Sequence, residues 1–360
     1  TTEIYTLSLH DALPIFHPDS IIDFLVSLLN TPSPTGYHLE AIERVEQAFR
    51  GLEIADLQFE RSPKGALIIT WPGERDDAPR GLTAHTDTLG LMVREIKSSG
   101  RLKLHMLGGY MWNAVEFEGV TVQTRDGQRY RGTVVPVKAS VHVHRGAGDE
   151  KRQQDTMEVR LDARTSSAKE TRALGIEVGN FVFLDPRVEV TDTGFIRSRH
   201  LDDKASVACI YGAFMALRDA GLRPAQTVTT VIANYEEVGH GAAAGFPPGL
   251  HEVVSVDMAA VGDGQNSDEF SAGICVADGG GPYHVELTGR LRALAEDASI
   301  PYKLDIYPYY GSDGEAYWAA GGTAQVALVG PGVDASHAYE RTHTDSLVHT
   351  THLLARYLIS

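Results

Sequence analysis

The chain has 360 residues, 42% of them hydrophobic, enough for two domains and a sizeable core. Asp and Glu number 48 against 32 Lys and Arg, a formal charge of −16. That balance argues against nucleic acid or an anionic membrane as a partner, and it suits a soluble enzyme that binds divalent cations. The only cysteines, Cys209 and Cys275, cannot build a disulfide framework and form no CxxC, which reads as two buried thiols in a reducing compartment. No run approaches 18 apolar residues, and no basic segment leads into an apolar stretch at the start, so no membrane span and a cytoplasmic location are expected.

Residues 1–16, TTEIYTLSLHDALPIF, fit poorly with the rest of the chain and read as a doubtful or disordered segment, with the domain beginning near His17. Apolar spacing predicts a helix over 19–29, stopped by TPSPTG at 31–36, and a second over 37–49. ALIIT at 66–70 and GLTAH at 81–85 read as strands of a mainly parallel sheet, ending on Asp87. From residue 91 to 192 the texture changes to short runs rich in Val and Thr, broken by turns. VTVQTRDGQRYRGTVVPV is a strand–turn–strand signal, and one helix fits at 168–174. This stretch is expected to be an inserted all-β, barrel-like domain dividing an α/β domain into 17–90 and 193–360. Helices are then expected at 204–217, 285–295, 315–320 and 346–358, and strands at 227–235, 251–257, 303–309 and 324–330. The predicted fold class is α/β, a mixed central sheet flanked by helices, with the β insertion.

Acidic and histidine residues cluster at the expected strand ends: HTD at 85–87, LDDK at 201–204, YEE at 235–237, VDM at 256–258 and RTHTD at 341–345. Two neighbouring divalent ions need a bridging carboxylate, imidazole or carboxylate at the outer positions, and open places for water and substrate. HxD places a ligand and a possible orienting carboxylate on one strand face. The glutamate pair offers one ligand and one free base. Each element also has a bland reading. HxD can be incidental, EE is commonly a solvated helix face, Asp202–Asp203 can cap the following helix, and THTD can be a turn. Their joint occurrence at strand ends points to a metal site. His240, His284, His337 and His349 read as surface or supporting residues, and His142 and His144 as structural. GGG at 279–281 reads as a loop that lets backbone approach a substrate. No phosphate-binding loop or GxSxG elbow is present.

AHTDTLG, LDDK, NYEEVGHGA, VDMA and YERTHTDS resemble the co-catalytic metallopeptidase family 42, which includes the tetrahedral and glutamyl aminopeptidases. LDARTSSAKETRALGIEVGNFV at 161–182 resembles the segment leading out of that family's β insertion, and the likeness runs from about residue 20 to the end. The resemblance implies a zinc-peptidase-like catalytic domain whose insertion serves dimerisation. It also implies two divalent ions per subunit, zinc first, with cobalt or manganese as alternatives. Carried over by residue, His85 and Asp257 would hold one ion, Glu237 and His343 the other, and Asp202 would bridge them. Asp87 would orient His85, and Glu236 would be the general base for a metal-activated water. Tyr309 and Asp313 are the expected substrate contacts. The substrate would be a small peptide losing its N-terminal residue, and the protein a homo-oligomer, a dimer or a dodecamer of dimers. SRHLDDKA, DGQNS, YPYYGSDGEA and VDASHAYERTH resemble the branch encoded with synthesis of N-acetylglutaminylglutamine amide. A deacylase or amidohydrolase acting on small N-acylated or amidated dipeptides is the alternative, and a non-enzymatic scaffold is the alternative of another class. Two positions depart from the family pattern: Asp203 stands where asparagine is usual, and KAS at 138–140 replaces a proline-proline-histidine.

Overall fold

Residues 16–360 are described by the structure, a computed structural model. The reading of the N-terminal segment falls, apart from Phe16, outside them. The helices are α1 (Pro18–Leu29), α2 (Leu39–Gly51), α3 (Ala168–Ala173), α4 (Leu201–Asp219), α5 (Val285–Asp297), α6 (Asp313–Ala319) and α7 (Thr344–Ile359). Each lies within a turn of its expected ends.

The centre of the large sheet is four parallel strands, in the order Gln226–Ala233, Arg75–His85, Glu252–Val256 and Gln325–Asp334. Both faces are covered, so these strands are buried almost continuously, Thr230 and Ser255 included, instead of on alternate residues. Antiparallel strands extend the sheet. Leu67–Trp71 and Gln58–Arg61 lie on one side, and Ala272–Asp278 pairs with Gln325–Asp334 on the other. Ala272–Asp278 carries little strand signal of its own, because glycines and small residues mask its periodicity. Register sets Ala233 beside His85, Ser255 beside Thr83 and Val256 beside Val329. The carboxyl ends of four parallel strands therefore meet along one rim, where open α/β sheets collect ligands.

Helix α4 lies against the sheet and is buried almost throughout. A Cβ at Gly212 would lie 2.7 Å from Ile21 of α1 and 2.9 Å from Thr351 of α7, so glycine here lets α4 pass between them. Lys204, in its first turns, is fully buried and donates to the carbonyls of Leu28 (3.0 Å) and Thr31 (2.7 Å) at the end of α1. Burial lowers its ammonium to about 7. Because its Nζ is spent on α1, Lys204 is a structural tie between the helices and the rim.

The inserted strands close into a barrel in the order Gly90–Ile96, Leu102–Leu107, Met157–Leu161, Arg129–Pro136, Gly119–Gln123 and Phe181–Leu184. Alternate residues point inward: Leu91 and Val93, Leu102 and Leu104, Val120 and Val122 are all buried in one apolar cluster. The expected strand–turn–strand is present, with Gly127 at φ 86° closing the turn against Thr124. No helix among the described residues is long and apolar enough to cross a membrane.

Candidate metal centre

Four segments leave the rim and supply the site. His85 ends its strand and is 1% exposed. Its Nδ1 faces the main-chain carbonyl of Asp87 at 2.9 Å and the Asp87 carboxylate at 3.5 Å. The backbone carbonyl is thus the nearer orienting group. The Asp87 carboxylate does other work: it accepts the N–H groups of Glu236 (3.1 Å) and Glu237 (3.4 Å) and the hydroxyl of Thr35 (2.7 Å). The glutamates sit in a short 3-10 turn after Gln226–Ala233, reached through Tyr235 at φ 75°. The turn is held from below as well. Lys64 Nζ donates to the carbonyls of His240 and Gly241, and Asp313 accepts the N–H of Ala242 at 2.6 Å.

Asp202 stands at the start of α4, before the backbone becomes regularly helical. Its Oδ1 is 3.4 Å from His85 Nε2, and its Oδ2 is 3.3 Å from His337 Nε2. The two oxygens of one carboxylate thus face two different imidazoles. Ser336 donates to Oδ2 at 3.1 Å. His85, Asp202 and Asp257 each offer a ligand atom within 4.8 Å of the others. Glu237 Oε2 lies 3.6 Å from His337 Nε2, and Glu236 Oε2 lies 3.5 Å from His85 Nε2. The Asp203 carboxylate does not join them. It accepts the backbone N–H of His85 at 3.2 Å and so fixes that strand end.

The electrostatics are those of a crowded, cation-poor site. Burial and the neighbouring acids hold Glu236 and Glu237 well above the usual carboxyl range, and burial with Asp202 lifts Asp257 to about 7. Burial would lower the His85 imidazole, but Glu236, Asp202 and Asp87 raise it well above its ordinary value. His337 likewise rises to about 10 against burial, through Asp202 and Glu237. His85 Nε2 and Glu237 Oε1 are buried without a hydrogen-bond partner. Orphaned donor atoms, a carboxylate turned toward two groups, and nitrogen and oxygen ligands all fit divalent ions such as zinc, cobalt or manganese.

The structure brings together His85, Asp87, Asp202, Glu236, Glu237 and Asp257, but not His343. That residue begins α7, where its Nδ1 accepts the N–H of Asp345 (3.1 Å). Its Nε2 faces the carbonyl of Thr193 (2.9 Å), and its ring packs on Phe195 and Phe270. With both nitrogens occupied it is a helix cap, and THTD is the start of a helix. His337, set aside as a supporting residue, is the imidazole that lies beside Asp202 and Glu237. The signal was available in SHAYE: this histidine follows the strand Gln325–Asp334, whereas His343 is the last residue of a further strand.

A cavity of about 870 Å³ opens over these groups. Tyr309 stands fully exposed on its wall. Asp313 does not line it. Its carboxylate is buried on Thr83 (3.1 Å) and Ala242 behind the wall, where it supports the glutamate loop. The glycines at 279–281 are absent from the lining too. A Cβ on Gly280 would coincide with the Glu315 carboxylate, so that glycine makes room for a wall residue and not for substrate.

The family model described as M42 glutamyl aminopeptidase matches residues 65–353. The chain is 46% identical over 339 residues to the putative aminopeptidase YhfE of Bacillus subtilis (strain 168), covering 94% of this chain and 97% of that protein. A TET aminopeptidase from a marine sediment Thaumarchaeota archaeon superposes with a TM-score of 0.84 at 17% identity, covering 94% of this chain and 96% of that one. The Pyrococcus horikoshii TET1 peptidase, which can assemble into a tetrahedron or a large octahedral shell, superposes with a TM-score of 0.80 at 19% identity, covering 94% and 99%.

Proposed function

The chain belongs to the M42 glutamyl aminopeptidase family and is a peptidase, and from that premise we propose that it is a dinuclear aminopeptidase removing N-terminal residues from small peptides. One observation carries the two-ion reading: the oxygens of Asp202 face His85 on one side and His337 on the other. His85, Asp202 and Asp257 would hold one ion, and Asp202, Glu237 and His337 the second. When bound, such ions supply Lewis acidity and lower the pKa of water.

The remaining chemistry falls to the chain's own side chains. The first donor group is complete without Glu236, which leaves that carboxylate free to take a proton from water and pass it to the leaving amine. Burial and the neighbouring acids raise its affinity for a proton, which suits a group that must accept one from water. Asp87 keeps Glu236 and Glu237 in register through their backbone N–H groups. Tyr309 and Tyr310 flank the space for the N-terminal side chain.

Among the described residues, the cavity wall carries Asp263 and Glu315 besides the centre's own acids, and neither Lys nor Arg. Neutral and basic N-terminal side chains therefore suit it better than acidic ones, whatever other members of the family accept. The homo-oligomer implied by the family belongs to the same proposal, supported by the shells that TET1 forms.

The test is a panel of free-amine and N-acetyl dipeptides given to metal-loaded protein, with Lys, Leu or Glu at the first position. Cleavage of the free-amine Lys and Leu peptides ahead of Glu is expected. Hydrolysis confined to the acetylated set would replace this reading with the deacylase one.

A further inference from the structure

Glu340 belongs neither to the proposed ligand set nor to the cavity wall, yet it is 1% exposed. Its Oε2 accepts the backbone N–H of Asp202 at 3.1 Å, and its Oε1 accepts the backbone N–H of His337 at 3.1 Å. Asp202 and His337 are 135 positions apart in the chain. One buried carboxylate therefore ties together the two segments that must meet for a second ion to bind. The strand register explains its position. Glu340 pairs with Ser198, so it sits where one strand leads on to the start of α4 and the other receives the 335–339 loop.

The two tied segments differ in how else they are held. Asp202 runs directly into α4, whose following residues are packed on every side. His337 lies in a loop whose Ala335 and His337 both have positive φ, 57° and 64°, a conformation that persists only where its surroundings enforce it. Besides Glu340, the loop is tied by the Ala338 N–H on Ala335 and by His337 Nδ1 against the carbonyl of Gly109 at 2.6 Å. It is also tied by Ser336 on Asp202 Oδ2 at 3.1 Å, by Arg199 on the Ala338 carbonyl at 3.0 Å and by Tyr339 on the Arg187 carbonyl at 2.8 Å. Of these, only the first and second hold residues 335 and 337 themselves. Loss of Glu340 would strand the buried N–H of Asp202 and the part-buried N–H of His337, and the half-exposed loop has more room to shift than the packed start of α4.

We infer that Glu340 is a positioning residue for the His337–Glu237 half of the centre: this half takes its ion firmly only while Glu340 spans the two N–H groups. The inference rests on the two-ion reading. Both carboxylate oxygens are needed, because an amide would present its NH2 to one of two donors, and a shorter acid would not span them. Glu340 touches no substrate and no reacting atom.

The test titrates metal-free full chain with zinc alone, and measures bound zinc after dialysis, for wild type, His337→Ala, Glu340→Gln and Glu340→Ala. Two ions are expected in wild type and one in His337→Ala. Glu340→Gln should keep both, with the weaker one loosened about 10–100-fold, and Glu340→Ala should keep one. Should Glu340→Ala fail to fold by circular dichroism, Glu340→Gln carries the test by itself. Wild-type affinity for both ions in Glu340→Gln, or equal weakening of both ions in either Glu340 variant, would overturn the inference while leaving two ions in wild type. A single ion in wild type would instead overturn the two-ion reading, and the inference with it.

Discussion

The barrel and the sheet rim carry their charges in opposite ways. In the barrel, acids meet bases: Glu158 pairs with Lys97 and Arg101, Asp185 with Arg131, and Glu116 with Arg152. At the rim, Asp202, Asp203, Glu236, Glu237 and Asp257 are buried near one another, with His85 and His337 as their cationic neighbours. Burying unpaired carboxylates is costly. The barrel meets that cost within the chain. The rim leaves it to be met by cations from solution, and this is what separates a scaffold from a reactive site in a molecule whose two cores are both Val- and Leu-rich.

The largest effect should come from Glu236→Gln, which removes a proton acceptor but no proposed ligand. kcat is expected to fall about 10²–10⁴-fold with zinc content unchanged. Lost zinc alongside lost activity would place Glu236 among the ligands and blur the contrast between its role and that of Glu237.

Next comes the pH response of the metal-free protein. The Asp257 carboxyl, raised by burial and Asp202 to about 7, imposes a penalty that grows as pH rises from its ordinary 3.8 through 7. The His337 imidazole, lowered by burial but lifted by Asp202 and Glu237 to about 10, gives stability that is complete below its ordinary 6.5 and is lost as pH rises through 10. Both effects run the same way. Asp202, held low by His337 and His85 despite its burial, acts in the opposite sense only below 3.8, and Lys204, lowered by burial to about 7, acts in the opposite sense between 7 and its ordinary 10.5. The Tm of chelator-treated protein should therefore fall between about pH 4 and 7, where Asp257 loses its proton and Lys204 does not yet oppose it, and saturating zinc should raise Tm more at pH 7 than at pH 5. A Tm of the metal-free form that rises over this range would contradict the charge arrangement described for the rim.

A barrel substitution gives the converse. Glu158→Ala strands Lys97 and Arg101 and should cost about 1.5–3 kcal/mol in denaturant unfolding, with zinc stoichiometry and kcat retained. The smallest effect belongs to His343→Ala. It removes a helix cap worth about 0.5–1 kcal/mol and should leave activity within about twofold of wild type. Loss of an ion in this variant would restore His343 to the centre.

Much of this was legible in the sequence, because strand ends carry their own punctuation. GLTAH, TVTTVIA and HEVVSVD each run apolar and then turn acidic, and the parallel register brings those acidic turns to one rim. The fourth segment misled, because two histidines six residues apart, His337 and His343, both follow the last parallel strand. THTD looks like HTD, yet its histidine caps a helix, and only the fold shows that the chain must run out through Glu340–His343 before α7 begins. Asp313 was drawn toward substrate by its place in YGSDGEA, whereas Ser312 caps α6 and turns the Asp313 side chain inward. Glu340 carried no local signal. Its importance lies in accepting two N–H groups from distant segments, which a linear reading does not contain.

The central claim is that Asp202 lies between two ions, with His337 on the second and Glu236 free of both. Anomalous diffraction from crystals of zinc-loaded protein tests it directly. Two peaks flanking Asp202, with His85 and Asp257 at one and His337 and Glu237 at the other, are predicted. A single peak, a peak at His343, or Glu236 coordinated to either ion would contradict the account.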